Sequence, residues 1–229
     1  MKTLLYYLIY ILIGVLPTHL SAQTPLDIYH QEAGNFALIY SGKLEDGYNY
    51  GYSNTPYYPP NYTEGNLHFK GIEYRNIPLR IDYYTSRLIA QSPDGKYNIP
   101  VHPQEVDKVC IGKCDYIYLS KEANAPSNAY YAVLFQNKKW KLYKLRYISN
   151  INREYVGNRV LQNFSLKERI YLVRNGKWHE ITGRNSFISH FKQYKHELQH
   201  YCKQHNLHLS KEDEEGWIRL ALYCETLIK

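Results

Sequence analysis

His196-Glu197-Leu198-Gln199-His200 spells H-E-x-x-H. On a helix, histidines at i and i+4 lie about 40° apart, so both can reach one zinc ion. The intervening Glu197 would then act as base on the metal-bound water. Such a site needs a third ligand. His190, His205, His208, Glu212 and Glu215 surround the motif, and none sits in a recognisable third-ligand pattern. Helical periodicity argues against a walled site. Ile188, Phe191, Leu198 and Tyr201-Cys202 form an apolar stripe, and His196 and His200 each fall about 200° from Leu198 on the wheel. They share the solvent side with Lys192, Lys195 and Lys203, whose charge opposes a cation. The expectation is an exposed helix with no cofactor and no catalytic residue. A zinc-dependent hydrolase using His196, Glu197 and His200 is the alternative.

Four cysteines supply the other reactive groups. Cys110 and Cys114 flank a three-residue turn, and in a hairpin their Cα atoms would face each other at about the 5.5 Å that a disulfide requires. Cys202 and Cys224 remain as a second candidate pair, and two buried thiols are the alternative for them. There is no glycine-rich phosphate loop, no G-x-S-x-G elbow and no C-x-x-C redox pair.

Aromatic residues mark the candidate binding surfaces. Residues 41–65 hold six tyrosines, among them Tyr48, Tyr50, Tyr52, Tyr57 and Tyr58, with one Leu and no Val or Ile. Clustered tyrosines stack on sugars or anchor a protein partner, and they also serve as straps across a sheet. The stretch from Lys139 to Arg146 interleaves Lys139, Lys141, Lys144 and Arg146 with Trp140, Tyr143 and other apolar residues. It reads as a solvated edge strand with lysines that discourage edge pairing, or as a contact surface for an anionic glycan through Lys139, Trp140 and Lys141.

The elements that position these residues are mostly strands. From Asn66 to Leu119, short apolar runs alternate with turn residues, as in a meander. Asn35–Tyr40 reads as a first strand. Ile72 and Tyr74 lie on one alternation phase and Ile77, Leu79 and Ile81 on the other, which predicts a β-bulge near Arg75-Asn76. Ala129–Phe135 is apolar on both faces and should be a central strand. The segment 151–165 is polar, with room for a short helix. Arg169–Arg174 and Lys177–Ile181 flank Asn175-Gly176, the strongest hairpin signal in the chain. A helix from about Asn185 to Gln204 follows. A second runs to about Leu227, with Ser210 and Asp213 as its N-terminal capping pair. The fold class is α+β: an antiparallel β-meander over roughly residues 35–182, then two C-terminal helices.

Lys2, the apolar run Leu4–Leu16 and Leu20-Ser21-Ala22 read as a secretory signal peptide over residues 1–22. A single domain of residues 23–229 is then expected, β-rich over 23–183 and helical over 184–229. Removing Lys2 takes the basic side chains from 28 to 27 against 21 acidic ones, a net charge of +6. That suits anionic surfaces in the envelope, or simple solubility. No later segment has the length and apolarity of a membrane span.

Leu38-Ile39-Tyr40-Ser41-Gly42, Gly71-x2-Tyr74-x2-Ile77-Pro78-Leu79-Arg80-x-Asp82, Pro93-x-Gly95-x-Tyr97-Asn98-Ile99 and the tail from Ser186 onward are the elements of a wider pattern. With them the chain resembles a family of small exported proteins of Gram-negative bacteria with no assigned activity. The resemblance implies export and a fold, and carries over no catalytic residue. The histidines depart from it, since lysine is common at those positions. Together these readings lead to an exported, non-enzymatic envelope protein, periplasmic or outer-membrane-associated. Its expected partner is an envelope protein or an anionic glycan, with no nucleic acid and no stable membrane span. A glycan-binding module is a further alternative.

Overall fold

A computed structural model describes residues 25–48 and 51–228. The leader and Tyr50 lie outside the described residues. The chain forms two compact units, Met1–Ala33 and Gly34–Lys229. The described part of the first is helix α1, Pro25–Ala33. The second unit is mostly sheet and ends in helices. Among the described residues, no helix is long and apolar enough to cross a membrane.

The strands are β1 (Gly51–Tyr52), β2 (Tyr57–Phe69), β3 (Ile72–Asp82), β4 (Arg87–Gln91), β5 (Asn98–Val101), β6 (Val106–Ile111), β7 (Cys114–Leu119), β8 (Ala129–Gln136), β9 (Trp140–Val156), β10 (Arg159–Arg174) and β11 (Lys177–Ile181). Their order in one sheet is β1-β10-β9-β8-β7-β6-β2-β3-β4-β5, with β11 on the other end of β10. The expected meander is therefore two meanders that meet where β2 pairs β6. The 3-10 turn Pro103–Glu105 returns the chain from β5 to β6. The sheet is mixed, because β1 runs parallel to β10. Gly65 sits where β2 is squeezed between its neighbours. A Cβ there would collide with the Cys110 carbonyl oxygen.

Several local features follow from sequence chemistry. The register slips between Gly65–Ile77 and Leu67–Tyr74, which places the extra residue of the bulge at Arg75-Asn76. Asn76 adopts φ 54 there, a left-handed conformation that asparagine tolerates. Asn175 (φ 52) and Gly176 (φ 71) make the tight turn between β10 and β11. β8 is interior, flanked by β7 and β9.

Other expectations are corrected. Asn35–Tyr40 is not a strand. Gly34 turns the chain (φ 46), and consecutive 3-10 turns, Gly34–Phe36 and Leu38–Tyr40, bury Ala37 and Ile39 beside β4 and β5. Residues 151–165 hold no helix. They continue β9 and begin β10, joined by a two-residue turn at Gly157 (φ 59). Lys139–Arg146 is not an edge, since β9 lies between β8 and β10 and pairs with both. The tyrosine stretch is a loop only in its first part, because β2 starts at Tyr57. The first tail helix is broken into α2 (Arg184–Ser189) and α3 (Lys195–Gln204). The break turns Phe191 onto Trp140 and Phe187, at ring-centroid distances of 5.2 and 5.0 Å, and gives the His190 carbonyl to Arg174 Nη1. The last helix, α4 (Glu214–Ile228), is capped by Asp213, whose Oδ1 accepts the Gly216 amide at 2.9 Å, and not by Ser210.

The bridge expected between Cys110 and Cys114 is not formed, and all four cysteines are free thiols. Register is the reason. Cys110 opposes Asp115 and Cys114 opposes Ile111. Directly opposed residues share a face of the sheet, so the two thiols leave opposite faces. Cys202 and Cys224 are buried in the helix–sheet core, with burial pushing the Cys224 thiol up to about 12.

β9 explains why its sequence alternates so poorly, because both of its faces are covered. Trp140 and Leu142 join Leu134, Ile170 and Leu172 beneath α2, α3 and α4. Tyr143 and Leu145 join Tyr131 and Tyr171 on the other face, under Ala125, Ala129 and Trp178. Farther along the helix side, Lys144 and Arg146 are almost fully buried, at 1% and 5% exposure. Lys144 Nζ lies 2.9 Å from Glu168 and 3.0 Å from Glu214; Arg146 Nε lies 2.8 Å from Glu168, and its Nη2 reaches Glu214. Burial and the neighbouring Arg146 lower the Lys144 pKa.

Removing one carboxylate leaves two buried cations short of compensation. Glu168→Gln is expected to lower the unfolding free energy by about 3 kcal/mol, against less than about 1 kcal/mol for the exposed Arg169→Ala; urea unfolding of both variants measures the difference. Burial also pushes Tyr83 and Tyr143 up to about 12 from an ordinary 10.0. The folded state thus favours the neutral phenols. Their contribution is complete below the unfolded value and is lost as pH rises through about 12. An absorbance titration of phenolate should show these rings ionising late and together with loss of circular dichroism, not smoothly at the ordinary value.

Candidate functional site

The tyrosines of residues 41–65 mostly serve as straps. Tyr57 is buried, donates to Glu45 Oε1 at 2.8 Å and lies 3.6 Å beneath the Arg80 guanidinium. Tyr62 covers the other approach to that guanidinium at 4.2 Å, and Glu45 pairs Arg80 at 3.2 Å. Tyr48 donates to Asp82 Oδ2 at 2.8 Å, and its ring meets Phe164 edge-on at 5.1 Å. Burial and these carboxylates raise the pKa of Tyr48 and Tyr57. Tyr58 lies under Arg146 at 4.2 Å. Tyr52 and Tyr58 keep exposed surface, at 44% and 37%.

The basic strand is divided. Trp140 is not a surface residue. It is 2% exposed and stacks on Phe135 at 4.3 Å. Lys139 is exposed and Lys141 half-buried. His196, Glu197 and His200 are all exposed on α3, while Leu198 is fully buried. Among the described residues, no three His, Cys, Asp or Glu side chains are gathered where they would hold one ion.

A shallow cleft lies on the other face of β9, in residues that composition did not single out. Its floor is Leu145, Tyr147, Arg169 and Tyr171 of β9 and β10. Tyr83, Tyr84 and Ser86 from the β3–β4 turn form one wall, and Pro126–Ala129 from the β7–β8 loop form the other. Its volume is about 250 Å³. The first wall is fixed where the sheet curls back on itself, the Ile148 amide donating to the Tyr83 carbonyl at 3.2 Å. The second is fixed by Tyr131, whose hydroxyl accepts the Ser127 amide at 3.1 Å, and by Asn128 Oδ1, which accepts the Lys121 amide at 2.7 Å. Tyr131 is itself wedged among Tyr143, Tyr171 and Trp178.

Arg169 is the cation of the cleft. Its guanidinium lies over the Tyr147 ring at 5.5 Å and pairs Glu180 at 3.5 Å. Tyr84 is 51% exposed at the rim. Aromatic faces beside an exposed, oriented guanidinium stack on apolar ring surfaces and bind carboxylate, sulfate or phosphate in a fork. The sequence did carry one signal for this cleft: the Tyr83-Tyr84 doublet just after Asp82, at the end of a strand. Tyr147 and Arg169 gave none, because only the β9–β10 register places Arg169 beside Leu145 and Tyr147.

Tyr131→Phe deletes the hydroxyl that holds Ser127. It should cost about 1–2 kcal/mol and speed hydrogen exchange at the Ser127 amide, with little change at amides of the β10–β11 hairpin. Comparison with protein-family models, curated proteins and solved structures found no match for this chain.

Proposed function

We propose that this is an exported, non-enzymatic envelope protein that binds an acidic glycan in the cleft on the outer face of β9 and β10. The observation that carries the reading is Arg169 lying over Tyr147 in a cleft walled by Tyr83, Tyr84 and Tyr171. Sugar rings present apolar faces to aromatic rings, and a uronate, sulfate or phosphate on the same sugar suits the guanidinium fork. The cleft is smaller than the ~300–1,000 Å³ of enclosed small-molecule sites. It therefore suits one residue of a chain resting on the surface. The Arg169–Glu180 pair is exposed on both sides (44% and 39%) and holds the guanidinium by no more than about 1 kcal/mol, so a ligand anion can displace Glu180. The positive charge of the chain favours such a ligand over a cationic one.

A protein partner is the second reading, favoured by the β9–β10 hairpin. Residues 152–159 are exposed at every position, and Tyr155 and Val156 at the tip are 75% and 58% exposed. A zinc hydrolase has less behind it, since His196, Glu197 and His200 face solvent and, among the described residues, no third ligand joins the two histidines.

Calorimetric titration with a uronic-acid trisaccharide tests the cleft. Arg169→Ala and Tyr147→Ala should each weaken binding about tenfold or more, the size of a lost charge-assisted bond or stacking contact. Affinity should fall as salt is raised. Unchanged affinity in both variants would remove the assignment, and cross-linking from Tyr155 would then decide for the protein partner.

A further inference from the structure

Resting on the cleft assignment, we infer that the ligand is a polyanionic chain of several sugars and that it continues along the same strands to a second cationic site. That site is a cavity of about 440 Å³ at the β8–β9 and β10–β11 turns, lined by Lys138, Lys139, Lys141, Arg174, Asn175 and Gly176 together with Trp140 and Val173. Four of its residues are cationic and none is acidic. Lys138, Lys139 and Lys141 have no ion-pair partner among the described residues. Arg174 opposes Trp140 and so turns to the helix face, where its Nη1 donates to the His190 carbonyl and its guanidinium lies 5.2 Å from the Phe191 ring; the lysines supply the charge on the Arg169 side. One acid touches the turn, Glu225, and Asn137 Nδ2 engages it at 2.6 Å.

Register joins the two sites. Lys141 opposes Val173 and Leu145 opposes Arg169. Residues an even number of positions apart share a face, so Lys141 and the Arg169 row lie on one face of the sheet. They are four residues apart, roughly 13 Å at about 3.3 Å per residue. The floor between them is apolar and aromatic. Val173 faces Trp178 across β10 and β11, and Trp178 is half-buried over Tyr143 and Tyr171, at centroid distances of 5.7 Å to each. Cations at both ends and rings between them match a chain that alternates charge with apolar sugar faces. A single sugar in the cleft does not span that distance, whereas a chain engages both sites and gains the effective concentration of linked contacts.

The test is titration of the full chain with uronic-acid oligomers graded from one to eight sugars. The affinity per chain should rise by about a hundredfold once the oligomer spans both sites. The combined variant Lys138→Ala, Lys139→Ala, Lys141→Ala should lose that gain and part of the salt dependence while binding the shortest oligomers as the parent does. Arg169→Ala should weaken all lengths. Circular dichroism and thermal unfolding of the triple variant should match the parent, because none of the three lysines is buried. Length-independent affinity, with the triple variant equal to the parent, overturns the second site and leaves the cleft standing. Absence of uronate binding at every length, or binding indifferent to Arg169→Ala, overturns the cleft and the chain together. Equal binding of a neutral oligomer of the same length overturns the role of the cations. Binding of a single-stranded oligonucleotide as tightly as the uronate overturns the glycan assignment.

Discussion

The quartet of buried Lys144 and Arg146 with half-buried Glu168 and Glu214 is the constraint on which the rest of the second unit depends. Two cations are withdrawn from water beside two partly exposed carboxylates, and the cations are compensated only if β9, β10 and the start of α4 sit in one arrangement. Glu214 is the first residue of its helix, so its charge also meets the positive end of the helix dipole. The network need not be a large net source of stability, because desolvation offsets much of the attraction. Its effect is specificity. A shift of one residue in β9 or β10 would carry a charge to the wrong face and leave its partner unpaired. The apolar cluster beneath α2, α3 and α4 then condenses on a sheet whose register is already set.

The same register determines the outer face. With Lys144 and Arg146 turned toward the helix side, Tyr143, Leu145 and Tyr147 must turn the other way. Pairing with β10 brings Arg169 and Tyr171 alongside them. The β7–β8 loop is tied down by Tyr131, which stands in that aromatic row, and the β3–β4 turn is tied down by Ile148, just beyond Tyr147. The cleft is thus built on strands and fixed by their hydrogen bonds, which gives it the rigidity a stacking site requires.

Tyrosine is abundant in this chain because one residue type serves two environments. Tyr57 and Tyr48 bury their rings and give their hydroxyls to carboxylates. Tyr84 and Tyr155 keep theirs at the surface. Counting tyrosines along the chain cannot separate these uses, and the densest stretch turned out to hold straps around Arg80 and Asp82.

What the sequence determined by itself was local. The Asn175-Gly176 turn, the bulge at Arg75-Asn76, the central place of β8, the helical tail and the solvent face of His196 and His200 all follow from backbone preferences and periodicity over a few residues. Tertiary structure decided what depends on pairing between distant segments. The return of β6 to β2 divides one expected meander into two. The pairing of β9 with β8 and β10 turns a supposed basic edge into a core strand with charges inside. The offset at Cys110 and Cys114 sends the two thiols to opposite faces. The cleft draws its residues from four separate stretches, around Tyr84, Ser127, Tyr147 and Arg169. The physical reason is that a side chain's face is fixed by parity within its strand, whereas its neighbours are fixed by register between strands, and register is chosen by the burial of the whole sheet.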